Sequence, residues 1–519
     1  MRHLRLIPAL LIIVLSACRP QPAIITPLAV QSSQTSQEAL AELPFLQTAT
    51  PSAAPLTPSA TPSPPLPQAS LAPPSETATP APDPVTTLLF TGVIVPARCV
   101  QAAIDERGDA DYPYDEVRDI ISSADLAVGT LNAAISDFPP RTGCVPTYVL
   151  VGGSENADAL QRAGFDMISV ATNHIKNCGL TNCGDRAFFD TLDNLRRVNI
   201  LPVGAGANHA EAMQPVVVSV NGVRYGFVSL GQIEPMAFAG EDTPGIAVLN
   251  SENLRVAIQA ARQVSDVVIA MPHWGPEDVP TPNYIQRDLA KQLVEAGADI
   301  VVGNHTHVVQ AVEMIEGAPV FYGLGNFVFD QGLPDHKQGV ILRVYFKGGE
   351  YAGFDLIPTH VDRDGTVHVA EAQEAAEVLE RVRRASQPLG MNGWVPGYVS
   401  SLPKADLQAL SREEIVQRLF EQWLDYWAAP ALPIVERIHS YEIQGAAVSE
   451  VGQEPGMEFG AEYIAQVMFS VRPIVLQDSI WIAGNGELTL EGWVRQKSLF
   501  VGVREDGNRY SMIVLGTGF

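Results

Sequence analysis

From Thr86 onward the chain alternates short, wholly apolar runs with longer stretches in which apolar residues recur every three or four positions. TTLLFTGVIV, DLAVGTLNAAI, DMISVATNH, DVVIAMPHW, DIVVGNHTH and PVFYGLGNFVF are runs of the first kind, and several end in polar residues. Such runs are expected of strands covered on both faces. Between them YDEVRDIISSA, NADALQRAGF, RAFFDTLDNLRRVNI, NLRVAIQAARQV and IQRDLAKQLVEAG have the period of amphipathic helices. VVVSVNGVRYGFVSL predicts a hairpin turning at Asn221-Gly222, because both turn positions of the favoured type need positive φ. Strand and helix in repeated alternation predict an α/β fold, with function just beyond the carboxyl ends of the strands.

Past Glu371 the pattern changes. EAAEVLERVRRAS reads as a helix, and Gly390 to Pro403 as a loop containing a tryptophan. LQALSREEIVQRLFEQWLDYWAAP is an amphipathic helix in which Ser411 and Glu414 have capping-box spacing. Its Phe420, Trp423, Tyr426 and Trp427 read as core. From Ile434 to Phe519 the runs predict an α+β or mainly β module, either separate or layered on the core, with turns at Asn485-Gly486 and Asp506-Gly507.

Before Thr86 nothing can pack a core. Arg2 and Arg5 precede an apolar segment, Leu6 to Leu15, too short to span a bilayer, and small residues lead to Cys18. This is similar to a bacterial lipoprotein signal, cut before Cys18 so that its thiol takes lipid; the alternative is an ordinary secretory signal cleaved elsewhere. Residues 51–85 hold 12 prolines in 35 positions and two charges, Glu76 and Asp83, which predicts an extended tether. The expected organisation is a signal over 1–17, a tether over 18–85, the α/β domain over 86–371, a helical connector over 372–433 and the C-terminal region over 434–519. The location expected is extracytoplasmic, with lipid at Cys18 holding the chain to the membrane.

Composition narrows the function. With 33 Lys+Arg against 58 Asp+Glu the net charge is −25, which argues against nucleic acid as a partner. There is no GKS or GKT phosphate loop, so nucleotide-driven polymerisation is not expected of this chain.

The polar residues at the strand ends carry the candidate chemistry. Asn173-His174, His273-Trp274 and His305-Thr306-His307 place four of the chain's ten histidines at strand-to-loop junctions. Neutral imidazole ligates divalent transition metals such as Mn, Fe or Zn. Asn173 can add an amide oxygen, leaving His174 as an acid or electrostatic stabiliser. Of the five cysteines, Cys99, Cys144, Cys178 and Cys183 remain once Cys18 is assigned to lipid. They allow three pairings. A local Cys178–Cys183 bridge would leave Cys99 with Cys144; a four-thiolate zinc site is the competing arrangement, although no CxxC pair is present.

ATNH, HWG with a downstream acid, GNHTHVVQAVE and YGLGNFVFDQ together resemble the bacterial capsule-synthesis family of CapA type, associated with poly-gamma-glutamate and related to calcineurin-like metallophosphoesterases. The resemblance covers Thr86 to Glu371. It implies a four-layer α/β/β/α metallophosphatase-like sandwich and a role in making, anchoring or exporting an anionic envelope polymer, with that polymer or capsule-synthesis membrane proteins as partners. It also implies metal ligands at Asn173, His273, His305 and His307, and a catalytic His174. Arg98 and Trp274 become candidates for substrate contact, with a surface salt bridge for Arg98 and core closure for Trp274 as the alternatives, and Asn326 and Asp330 for orienting the histidines. Two departures stand out. Gly92-Val93 replaces the family's Gly-Asp, and Thr130-Leu131-Asn132 its Asn-Leu-Glu, so Asn132 is at most a weak ligand. Two cations 3.5–4 Å apart, roughly, need anionic ligands between them. Three outcomes follow: one ion with a hydrolytic role; substitution by acids such as Asp125, Asp185 or Glu277; or a metal-free module that binds or scaffolds polymer.

Overall fold

A computed structural model describes residues 84–138, 141–178, 183–450 and 460–517. The signal-like segment, Cys18 and nearly all of the tether lie outside the described residues. Among those described, no helix is long and apolar enough to cross a membrane.

The first strand, Val85–Ile94, is central to an eight-stranded sheet. It runs parallel to Leu126–Leu131, which continues in parallel to Met167–Ser169 and Leu201–Val203. On its other side it pairs antiparallel with Gln338–Lys347, and near its carboxyl end it pairs in parallel with Asn326–Val328. A six-stranded sheet holds Val223–Gly231, Val267–His273, Ile300–Val302 and Ala318–Phe321 in parallel array. Val216–Val220 joins this sheet through the expected hairpin; Asn221 and Gly222 have φ of 49° and 82°.

Strand alternation sorts the apolar residues into cores. Leu88, Phe90 and Val128 share one core with Phe227, Ile269 and Ile300 of the other sheet. Leu89, Ala127 and Ile168 face the helices Glu155–Ala163 and Arg186–Arg197. Val268, Ala270 and Val301 face the helices Ser251–Val264 and Tyr284–Ala296. The strands formed by these runs, such as Leu126–Leu131 and Val267–His273, bury both faces, which is why the runs are apolar throughout. The helix expected over 114–124 is shorter, Arg118–Ser122, because Tyr112–Tyr114 forms a separate 3-10 turn that buries both tyrosines.

The C-terminal region shares the central core. Helix Ala372–Ser386, helix Arg412–Ala428 and an antiparallel six-stranded sheet contribute to the same cluster as Leu88 and Phe227. Ser411 and Glu414 form the expected capping box. Phe420, Trp423 and Tyr426 are buried as core, and Trp427 packs beside them. Asp506 pairs with Arg509, so the two-residue turn is Gly507-Asn508, one residue later than expected. Asp506 is buried against Arg343 of the eight-stranded sheet, 3.2 Å away. The cysteines form Cys99–Cys144 and Cys178–Cys183, not a four-thiolate zinc site.

Candidate functional site

Parallel strands from both sheets end on one edge, which places the candidate histidines together. His273 is the last residue of its strand, and its backbone bridges to Asn304. The next loop carries His305 and His307, whose φ values are 111° and 60°. Positive φ in non-glycine residues is strained backbone of the kind that collects at functional sites. The His273 ring lies 4.9 Å from that of His305, which lies 6.0 Å from that of His307. His273 Nε2 donates to Asn173 Oδ1 at 2.9 Å. His307 Nδ1 donates to Asn326 Oδ1 at 2.9 Å, so Asn326 orients that ring. His174 Nδ1 accepts from the Asn177 amide at 2.7 Å.

Burial sets the electrostatics. His273, His305 and His307 are buried, and His174 is half-buried. Burial, with the neighbouring His307 and Arg98, pushes the His174 pKa down to about 4. Burial and the same histidine cluster hold His305 down to about 3, and His273 well below the ordinary range. His307 is also lowered by burial, opposed by its bond to Asn326 and by Glu277. The imidazoles are therefore neutral at pH 7, the protonation state that ligates metal.

The anionic ligands are another matter. Val93 is fully buried in the core beside Ile94, and its N–H donates to Gly325 O at 2.9 Å. Gly92 permits that approach, since a Cβ there would meet Gly325 O at 2.3 Å. Asn132 is fully buried; its Oδ1 accepts the His174 backbone N–H at 3.0 Å, and its Nδ2 has no partner. The free end of Asn132 is thus a donor, which cannot ligate a cation. Among the three candidate substitute acids, Glu277 comes near, 3.9 and 3.8 Å from Nε2 of His305 and His307, but it is half-exposed. Asp125 lies at the opposite end of its strand, accepting from Thr87 N, and Asp185 pairs with Lys176. Among the described residues, no group of three His, Cys, Asp or Glu is placed to hold a metal ion. The residues present do not fit a binuclear centre.

Other candidates are placed differently from expectation. Trp274 is fully buried and donates from Nε1 to Tyr322 O at 2.9 Å, so it closes the core and cannot stack on substrate. Asp330 accepts from Arg98 Nε at 3.0 Å and from the Cys99 N–H at 3.1 Å rather than orienting a histidine. Arg98 is thereby committed to an ion pair over the Phe329 ring, 4.9 Å from its centroid. Sequence reasoning missed three neighbours. His336, buried beside His307, donates from Nε2 to Asp278 Oδ1 at 2.5 Å. Tyr148, 77% exposed, stacks on His174 at 6.3 Å. Only the proximity of Asp278 to Glu277 offered a sequence signal; His336 and Tyr148 reach the site from irregular segments.

A family model, "Bacterial capsule synthesis protein PGA_cap", matches residues 87–331, a segment that contains Asn173, His174, His273, His305 and His307. Residues 87–331 belong to that family. It is 29% identical over 281 residues to the PGA biosynthesis protein CapA of Bacillus subtilis, covering 54% of this chain and 72% of the relative. Capsule biosynthesis protein CapA of Bacillus anthracis is 28% identical over 307 residues, 57% of this chain and 73% of its own. Among solved structures, a phosphatase from Mycoplasma pneumoniae aligns with TM-score 0.36 and 10% identity over 53% of this chain and 94% of its own. The NAD nucleotidase of Haemophilus influenzae aligns with TM-score 0.34 and 11% identity over 58% and 63%. Likenesses that loose carry no argument about chemistry. The helices and sheet after residue 371 lie outside the matched segment.

Proposed function

We propose that this capsule-synthesis protein is a noncatalytic envelope module that binds or scaffolds an anionic polymer. One observation carries the reading. At the edge where the histidines meet, Asn132 has its oxygen bound to a backbone N–H and turns out a donor, while Val93 supplies only methyl groups. Two-metal hydrolysis needs anionic bridging ligands; neither position supplies one, and Glu277, the carboxylate near His305 and His307, is half-exposed. The printed names of the relatives, which concern capsule and PGA biosynthesis, support the polymer class. In this reading the two sheets and their outer helices are a four-layer α/β/β/α sandwich. The Cys18 lipid and proline-rich tether hold it outside the membrane, beside the polymer and capsule-synthesis membrane proteins. The net charge of −25 repels a polyanion, so recognition is local and made by hydrogen-bond donors.

A one-ion hydrolase is a second reading. It draws on the Asn326 bond that leaves the His307 Nε2 lone pair facing Glu277. Turnover of bis-(p-nitrophenyl) phosphate with added manganese or zinc separates the two. The binding reading expects no metal-dependent hydrolysis. Metal-dependent turnover lost in both His305→Ala and His174→Ala would overturn it.

A further inference from the structure

Away from the site, the hairpin of Glu350–Val361 and Val367–Val369 carries a second pair of imidazoles, His360 and His368, directly opposite each other across the strands. His368 stands between two carboxylates, with Nδ1 2.9 Å from Glu116 Oε1 and Nε2 3.0 Å from Asp362 Oδ2. Carboxylates only accept, so a histidine bonded to one at each ring nitrogen is the doubly protonated, charged form. His360 is bonded at one nitrogen: Nδ1 donates to Glu374 Oε1 at 2.8 Å, while Nε2 lies 3.6 Å from Asp362 Oδ1, beyond hydrogen-bond reach. Glu116, His368, Asp362, His360 and Glu374 thus form an alternating row. It joins the turn before helix Arg118–Ser122, the hairpin, and helix Ala372–Ser386. All five side chains are partly exposed, so protons exchange with solvent.

We propose that this row is a pH-operated latch that clamps the hairpin to its flanking segments while the His368 imidazole is charged and loosens as it loses its proton. The His368 imidazolium offsets one of the row's three carboxylate charges, and loss of its proton removes that offset. Several neighbouring cations are committed elsewhere. Arg381, on the same helix as Glu374, pairs with Asp335 at 3.1 Å and donates to Gln338. Arg107 pairs with Asp364, and Arg118 with Asp115 at 2.8 Å. From the C-terminal sheet, Arg509 feels Glu116 together with Asp506, Asp119 and Asp406, and donates to Ser401. Gln338, which carries no charge, donates to Glu374 Oε1 at 3.0 Å.

The sign follows from linkage. Burial lowers the pKa of His368, but the bonds to Asp362 and Glu116 outweigh it, and the net direction is up from 6.5. A raised histidine contributes stability that is fully present below its unfolded pKa and is lost as pH rises through the folded one. The latch is therefore tight in mild acid and loosens as pH rises through the His368 midpoint, which lies above 6.5. Its inner end leads to Gln338, next to the turn Pro334–Lys337, whose His336 carbonyl accepts from Asn326.

Histidine NMR titration of the full chain, with thermal unfolding from about pH 5.5 to 8.5, tests the latch. The expected results are a His368 midpoint above 6.5 and a lower midpoint in Asp362→Asn. Because the buried site histidines, held below their ordinary pKa, make the wild-type Tm rise with pH over the lower part of this range, the latch is read as a difference: the Tm advantage of wild type over His368→Gln and over Asp362→Asn shrinks as pH rises, whereas the difference from Asp158→Asn, which removes the distant exposed pair with Arg197, does not change with pH. A His368 midpoint at or below 6.5 would overturn the proposal, as would equal pH slopes in wild type and in whichever of the two latch variants folds.

Discussion

Replacing Asp506 tests whether the C-terminal sheet folds as one unit with the α/β core. Asp506 is 4% exposed and Arg343 1% exposed, and their side chains are 3.2 Å apart across the two sheets. Asp506 also accepts from Arg504 Nε at 3.2 Å. Asp506→Ala therefore leaves a buried guanidinium, Arg343, without its carboxylate. Breaking a buried pair from one side costs about 3–5 kcal/mol, whereas an exposed pair such as Arg197–Asp158 is worth about 0–1. Urea denaturation followed by tryptophan fluorescence and far-UV circular dichroism should show one transition in both proteins, with the Asp506→Ala midpoint shifted down. Arg343→Met/Asp506→Leu should recover part of the loss, because the Arg343 guanidinium is no longer left buried without Asp506, while Arg504 keeps Asp355 3.8 Å away. A loss below about 1 kcal/mol for Asp506→Ala, or two separate transitions in the wild type, would refute the reasoning.

Other expectations are simpler. Trp274→Ala should cost about 3–5 kcal/mol in the same denaturation assay, and Trp274→Phe less, because the indole fills a dry core site. Replacing the Cys99–Cys144 pair by serines should cost about 4 kcal/mol, and replacing Cys178–Cys183 about 2, because the first closes a loop of 45 residues and the second one of 5. Ser411→Ala should lower stability by about 1 kcal/mol through loss of the cap on helix Arg412–Ala428, read as a drop in Tm.

What the chain's pattern reveals is whatever local chemistry decides. The Asn221-Gly222 hairpin, the Ser411 cap and the strand-end histidines are each legible within a few residues, because turn geometry, capping and burial act at short range. Partnerships made across the fold are not. Nothing near Trp274 says that its indole meets the Tyr322 carbonyl, and nothing near Asp330 says that Arg98, far away in the chain, takes both its oxygens. Ser400–Pro403, inside a stretch read as loop, is a strand only because Arg509–Gly516 arrives beside it. The missing acids were legible as Val93 and Asn132. Only the structure shows that the Asn132 oxygen is taken by the His174 backbone.

The central claim is that the histidine edge serves binding without metal. Calorimetric titration of the full chain with poly-gamma-glutamate, with and without chelator and at two salt concentrations, tests it most directly. The account predicts the same affinity with and without chelator. It also predicts that added salt does not weaken binding, because screening relieves the repulsion between a chain of charge −25 and a polyanion. Affinity that disappears with chelator and returns with manganese or zinc would contradict it.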